Sequence, residues 1–542
     1  MSSVELGDKM IKIVDLFAGP GGLGEGFASY VDKQTGNLPF SIVASVEKEV
    51  SAHKTLQLRS FFRKFPKGKA PSEYYQYIQG EGITRDELFA RYQDQGDAAI
   101  RETLVKPRTL GSDNDLIERE IQKQLGDHKG PTIVIGGPPC QAYSLVGRAR
   151  NLGNSKYVAE KDPRHFLYRE YLKILALVTP EVFVMENVKG ILSSKLNGKN
   201  IFSQILEDLK NPGAALGRES AAEYKVYSLV VPPDDVDDPE YKDSRDFIIR
   251  AEQYGIPQAR HRVILLGVKV GIRGVPGVLS ESAHVTVEQA ISDLPDLRSG
   301  LSKESDSFEN WMLVLRELSS NLTSNLQKFG MPDLSNLIHE NRRGDHELVG
   351  RGNSFIPIDY KLGGSLPTKL RNWMIDPRLK GVLNHETRGH IRSDLERYLF
   401  CSCFALLNEN RENPTPKAKE FPSFLAPNHK NWESGKFADR FRVQSRAKFA
   451  TTVTSHISKD GHYFIHYDPK QCRSLTVREA ARIQTFPDNY FFEGNRTEQY
   501  VQVGNAVPPF LANQIADIVF KLISSELETR SKSKVKQKRN MN

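Results

Sequence analysis

At 542 residues, 39% hydrophobic and 26% charged, the chain is long enough for two or three domains with substantial cores and too apolar to be a disordered polymer. Lysine and arginine exceed aspartate and glutamate by 75 to 67, a net charge of +8, which favours a polyanionic partner without requiring one. Four cysteines exclude a disulfide framework, Cys401-x-Cys403 lacks the second pair of a structural zinc site, and no signal peptide or membrane-length apolar run is read, so a soluble cytoplasmic protein without membrane contact or metal is expected.

The first apolar run, residues 11–17, reads as a buried strand and passes directly into Phe17-Ala18-Gly19-Pro20-Gly21-Gly22-Leu23-Gly24. A second strand over 41–46 ends at the acidic Glu47. Glycines allow close approach of backbone to a ligand, and an acid at the end of the next strand can accept from ribose hydroxyls. The pair describes a nucleotide cradle that suits a dinucleotide or S-adenosylmethionine equally, or else a tight turn with no ligand. Residues 64–106 are charged, tyrosine-rich and helix-prone, and read as a peripheral insertion rather than as core.

A third strand, 132–135, breaks into Gly136-Gly137-Pro138-Pro139-Cys140-Gln141. Two prolines stiffen the approach to a lone thiol at a strand end, where α/β enzymes keep their chemistry. Cys140 is therefore either a nucleophile on a preorganised loop or a buried small hydrophobe beside a turn. The following loop, 141–154, carries Arg148 and Arg150, and reads as a cover for a ligand or as an ordinary surface loop. Residues 166–177 place Leu167, Tyr171, Leu172 and Leu175 on one helical face before Pro180, the pattern of a crossover helix.

The strand at 182–185 leads into Glu186-Asn187-Val188. A carboxyl there can be held protonated by desolvation, or can pair with an arginine. Residues 234–246 form an acidic insertion, and Gln258-Ala259-Arg260-His261-Arg262 precedes a further strand over 263–268, so its alternate arginines would share one side. From 11 to about 296 strands alternate with helical segments, the pattern of a doubly wound α/β sheet.

After Leu297 that pattern stops. A stretch to about residue 440, with basic loops Arg342-Arg343-Gly344 and Arg351-Gly352-Asn353, contains Trp311, Trp373 and Trp432, all three of the chain's tryptophans, best read as core residues of a second domain. Thr476-Val477-Arg478-Glu479 is a capping box opening a helix through Gln484, and Pro508-Pro509 opens another with Leu511, Ile515, Ile518, Val519 and Leu522 for packing. The expected division is 1–300 for the catalytic and cofactor-binding domain, 301–440 for a mixed second domain, 441–524 for a return to the first, and 525–542 for a basic disordered tail.

The order of these pieces is more specific than any one of them. Phe-x-Gly-x-Gly, Pro-Pro-Cys-Gln, Glu-Asn-Val, Gln-x-Arg-x-Arg, Arg478-Glu479 with Arg482 and Gln484-Thr485-Phe486-Pro487, and Gly504-Asn505-Ala506-Val507-Pro508 follow one another. This resembles the cytosine-C5 DNA methyltransferase family, over residues 11–47, 132–193, 254–297 and 451–512.

The resemblance implies a Rossmann-like methyltransferase domain using S-adenosylmethionine, with 301–440 as target-recognition domain. It implies that Cys140 adds to cytosine C6, that Glu186 contacts N3 and the exocyclic amine, that Arg262 contacts the base carbonyl, and that Arg260 supports the loop. Phe17 would stack on the adenine, Gly19, Gly21 and Gly22 would line the methionine end, Glu47 would hold the ribose, and Pro138 and Asn505 would border the pocket. The partner would be double-stranded DNA with the target base flipped out. The enzyme would act as a monomer and as the modification half of a restriction-modification pair, alongside a separate endonuclease. The rival readings are a transfer-RNA cytosine methyltransferase and an NAD-dependent oxidoreductase. Gly111-Ser112-Asp113-Asn114-Asp115 shows no obvious acid for the adenine amine.

Overall fold

The computed structural model describes residues 10–139, 167–196, 199–219, 222–341, 350–427, 432 and 440–540. Cys140, the 141–154 loop with Arg148 and Arg150, and Arg342-Arg343-Gly344 lie outside the described residues.

The five expected strands form with small boundary shifts, and three more that sequence reading did not name join them: in chain order β1 (Ile11–Leu16), β2 (Phe40–Val46), β3 (Thr132–Gly136), β4 (Val182–Val188), the unexpected β5 (Tyr224–Tyr227), β6 (Ile248–Arg250) and two-residue β7 (Gln258–Ala259), and β8 (His261–Lys269). Apart from β7 they make one seven-stranded sheet in the order β2-β1-β3-β4-β8-β5, with β6 also on β8. The first four strands run parallel, whereas β8 runs antiparallel to β4, β5 and β6. The sheet is therefore mixed. Alternate side chains feed two cores: Ile11, Ile13, Ile133, Ile135 and Val184 on one face, and Val14, Leu16, Val134, Phe183 and Met185 on the other. Two-sided burial is why these runs read as continuous apolar segments rather than as alternating ones.

Helices α1 (Gly22–Ala28), α2 (Val50–Arg63), α3 (Ser72–Gln79), α4 (Arg85–Arg91), α5 (Gln93–Glu102), α6 (Asn114–Leu125) and α7 (Leu167–Val178) follow in chain order. The expected crossover helix is α7: Tyr171, Leu172 and Leu175 are buried, and the Tyr171 hydroxyl donates to the carbonyls of Val134 (3.3 Å) and Val184 (3.1 Å) on the strands beneath it. The insertion over 64–106 departs from expectation. Helices α3 to α5 bury Tyr74, Tyr75, Ile78, Leu88 and Ala99 in a core of their own, completed by Phe61 of α2 and by Leu379 and Leu383. Its charged composition concealed a tyrosine face whose partner lies some 300 residues downstream.

The region after Leu297 contains α8 (Phe308–Lys328), β9 (Gly352–Pro357), α9 (Thr368–Met374), β10 (Gly381–Glu386) and α10 (Arg392–Leu407). Ser307 caps α8 by accepting from the Asn310 amide at 3.1 Å. Trp311, Leu322, Tyr398, Phe400, Cys401 and Cys403 build its main core, which also takes in Phe441, Val443, Ile465 and Cys472 from beyond residue 440. All three tryptophans pack: Trp311 is fully buried, Trp432 lies against Phe421, and Trp373 packs on Phe510.

The chain then re-enters the first domain. The short β11 (Ala450–Thr451) pairs parallel with β7, and α11 (Val477–Ile483) opens on the expected capping box, Thr476 accepting from the Glu479 amide and Glu479 from the Thr476 amide. Helix α12 (Arg496–Asn505) leads to α13 (Pro509–Asn540), whose Leu511, Ile515, Ile518, Val519 and Leu522 join the core beside α1. The stretch Arg496–Thr529 is apolar enough to cross a membrane, but 67% of its most apolar window is buried in the protein, which marks a core helix. The tail expected to be disordered from 525 instead continues α13 to Asn540. Glu526 is buried and accepts from the Arg273 amide at 3.0 Å, and the lysines and arginines beyond it favour helix.

Candidate active site

The carboxyl ends of β1 to β4 and the amino end of antiparallel β8 share one sheet edge. This edge is where an open α/β sheet binds ligands. Phe17 leaves β1 with φ +55°, and Gly19 and Gly21 follow at +58° and +98°. This left-handed path brings the Gly19 amide to 2.7 Å from Glu47 Oε2. Glu47 Oε1 accepts from the Lys48 (2.9 Å) and Glu49 (2.7 Å) amides, so one carboxylate at the end of β2 ties down two loops. Burial pushes its pKa up, while the amides oppose that shift.

The glycines here answer to different constraints. A Cβ on Gly22 would stand 2.3 Å from the Val507 carbonyl oxygen, and one on Gly21 would stand 2.7 Å from the Leu56 side chain. A Cβ on Gly19 would meet nothing within 4 Å. The loop is thus packed from behind and open at Gly19.

Beneath the loop, Asp15 is buried with neither carboxylate oxygen hydrogen-bonded. Burial pushes its pKa up to about 8, with Arg63 opposing. Sequence reading passed over Asp15, although an acid closing an apolar strand was a signal. It also passed over Tyr490, whose hydroxyl donates to the Pro20 carbonyl of the same loop, because no local pattern joins residues so far apart.

At the next two strands, Arg262 Nε lies 2.9 Å from Glu186 Oε1, both largely buried. Register explains the pair: Arg262 sits opposite Val188 and Ile264 opposite Glu186, so Arg262 reaches back along its neighbouring strand. A Cβ on Gly137 would fall 2.9 Å from Glu186 Oε2, so the chain passes close over the carboxyl there, three residues before Cys140. Asn187 steadies the same crossing by donating to the Pro138 carbonyl at 3.3 Å. Burial lowers the Arg262 pKa while Glu186 acts to raise it.

Arg260 is turned elsewhere. Its guanidinium donates to the carbonyls of Val453 (2.8 Å) and Gly504 (3.3 Å), and burial, then Arg262, depress its pKa. It clasps the start of β8 to the returning chain immediately before Asn505, which is exposed. Gln258 joins this clasp through Gln484 (2.6 Å) and the Val453 amide (3.0 Å). Arg478, Glu479 and Arg482 are likewise scaffolding: Arg478 donates to the carbonyls of Leu383 and Tyr490, Glu479 holds Arg473 through two oxygens, and Arg482 holds Asp488.

The sequence profile described as C-5 cytosine-specific DNA methylase matches residues 102–521. The type II methyltransferase M.Bpa9945I of Bacillus paralicheniformis is 34% identical over 533 residues, spanning 94% of this chain and 99% of that one. M.AgeI of Thalassovita gelatinovora is 26% identical over 95% and 100% of the two chains, and M.DdeI of Desulfomicrobium norvegicum is 29% identical over 71% of each.

Proposed function

Because this chain belongs to the C-5 cytosine-specific DNA methylase family and is a DNA (cytosine-5)-methyltransferase, we propose that Cys140, Glu186 and Arg262 carry its chemistry at a specific site in double-stranded DNA. The observation that carries this assignment is the Arg262–Glu186 pair, lying under the Gly137 crossing that leads to Cys140. Its location on the same sheet edge as the open glycine loop adds support. The matched relatives are DNA methyltransferases, which sets aside the transfer-RNA and NAD readings.

Cytosine C5 is a poor nucleophile. Addition of the Cys140 thiolate at C6 breaks the C5–C6 double bond and moves its electrons toward C5 and N3. A cytosine entering the site would replace the Arg262–Glu186 pair by contacts to both groups: Arg262 donates to the base carbonyl oxygen, and the Glu186 carboxyl supplies a proton toward N3 and accepts from the exocyclic amine. Charge developing on the ring is thereby neutralised between two largely buried side chains. Once C5 carries the methyl group, loss of the C5 proton to water expels the Cys140 thiolate, and return of the N3 proton to Glu186 restores the neutral ring. The base must first leave the duplex stack, at a cost of a few kcal/mol.

The residues of the cradle fit S-adenosylmethionine. Gly19 leaves open space, and three backbone amides occupy all but about one of the roughly four acceptor positions of the Glu47 carboxylate. When bound, this cofactor supplies an electrophilic methyl group; the Asp15 carboxyl beneath the loop, held protonated by burial, presents no charge to it. Phe17, Gly21, Gly22, Pro138 and Asn505 would border it, Arg260 would hold the pocket wall, and residues 301–440 would read the target.

The setting we assign is modification in a bacterial cytoplasm, opposite a separate endonuclease. Bisulfite sequencing of DNA from cells expressing the chain should show methylcytosine at one recurring sequence. Cys140→Ala should abolish it, and a Cys140→Ala protein that still methylates duplex DNA would overturn the assignment.

A further inference from the structure

The insertion over 64–106 has no part in the chemistry above, yet it packs on Leu379 and Leu383 and grips the turn before β10 through polar contacts. The turn 376–379 joins α9 to β10, and among the described residues β10 pairs with β9 alone. A two-stranded ribbon has little stability of its own, and β10 is held along its length by the returning chain: Arg478 donates to the Leu383 carbonyl (2.8 Å), Asn384 exchanges two bonds with the Phe492 backbone, and His385 bonds to Thr476 (2.8 Å). Its root is held separately, by the insertion. Arg378 donates to the Gly68 (3.1 Å) and Ala70 carbonyls and lies over the Tyr75 ring at 4.5 Å. The Tyr75 hydroxyl donates to Asp376 at 2.7 Å, and Gln79 donates to the Leu379 carbonyl at 2.7 Å. The same Asp376 oxygen accepts from Asn489 (2.7 Å), which is held in turn by Arg59 of α2 (2.9 Å). One turn of the recognition region is thus bonded on one side to the insertion and on the other to the helix that follows the cofactor-binding strands.

We infer that the insertion is a positioning element for target recognition, in which Tyr75 and Arg378 hold the β9–β10 ribbon at a set angle to the cofactor-binding sheet. Loosening this grip impairs DNA recognition and leaves the methyl-transfer step intact. The inference rests on the reading of residues 301–440 as the target reader.

Steady-state kinetics on the cognate duplex, together with bisulfite sequencing, test it in Arg378→Met, Arg378→Lys and Tyr75→Phe. Tyr75→Phe keeps the packed ring and loses only the bond to Asp376, so it stays folded where Arg378→Met fails. Arg378→Met and Tyr75→Phe should raise KM for DNA by about three- to tenfold and methylate sites outside the wild-type sequence, the size expected for a lost coupling contact. In both variants kcat and the affinity for S-adenosylhomocysteine should stay within about twofold of wild type, and Arg378→Lys should recover part of the KM effect. Unchanged KM and an unchanged methylation pattern would overturn the inference. So would a fall in kcat, cofactor affinity and melting temperature in step with the rise in KM, which marks a general packing role. Wild-type protein that methylates no duplex DNA defeats the underlying reading, and this inference with it, before any variant is made.

Discussion

Replacing Glu47 by glutamine exchanges one acceptor oxygen for a donor in a place where three backbone amides converge. If the remaining oxygen serves Lys48 and Glu49, the new amine faces the Gly19 N–H; if it serves Gly19, two amides lose their acceptor. The milder arrangement still loses one charge-assisted hydrogen bond and leaves one donor of the cofactor loop facing another donor, on the order of 2–3 kcal/mol. The cost falls on the order of the Gly19 loop, where the proposed cofactor site lies. At about 1.4 kcal/mol per factor of ten, the affinity for S-adenosylhomocysteine should fall by roughly 30- to 150-fold. Isothermal titration of wild type, Glu47→Gln and Glu47→Asp measures this, and Glu47→Asp, too short to span the same amides, should not rescue binding. A Glu47→Gln protein that binds within about threefold of wild type would refute the view that this carboxylate shapes the loop.

Three further outcomes follow from named contacts. Asp15 is pushed up to about 8 from an ordinary 3.8, so the folded state holds its proton more tightly than the unfolded chain does. The corresponding stability is complete below pH 4 and is lost as pH rises toward 8. Asp15→Asn should therefore match wild type near pH 4 and exceed it above pH 8 by up to roughly 5 kcal/mol in denaturant titrations, and parallel pH profiles would sink this reading. Gly22→Ala would drive a Cβ to 2.3 Å from the Val507 carbonyl, costing about 1–3 kcal/mol and separating the cofactor loop from the returning chain. The checks are a lower melting temperature and weaker cofactor binding, with no change in either as the contrary result. Arg260→Met should act first on stability, releasing the Val453 and Gly504 carbonyls at about 1–3 kcal/mol. Arg262→Met should act first on kcat with bound DNA, and equal effects of the two on melting and turnover would erase the distinction drawn between them.

Much of the layout of this sheet edge was legible because its signals are local. Left-handed glycines, a strand ending in Glu47 and the Glu186-Asn187 strand end are written in adjacent residues, and the sheet edge collects them. The division of labour within Gln258–Arg262 was not legible: both arginines carry the same charge two positions apart, and only the returning chain's carbonyls draw Arg260 away from Glu186. Asp15 looked like one more polar residue until its surroundings proved to hold no donor for it.

By itself the sequence determined five of the main sheet's seven strands and the polar groups that stand at their ends. Period-two burial and glycine backbone freedom are properties of neighbouring residues. Tertiary structure alone decided that a charged insertion would bury its tyrosines against Leu379 and Leu383, that Tyr490 would brace the Pro20 loop, and that the basic terminus would prolong α13. The first two depend on surfaces meeting after 300 residues or more of intervening chain, and local periodicity carries no information about which distant face will arrive. The third depends on a helix already anchored by core contacts, which makes each added turn cheaper than starting a new one.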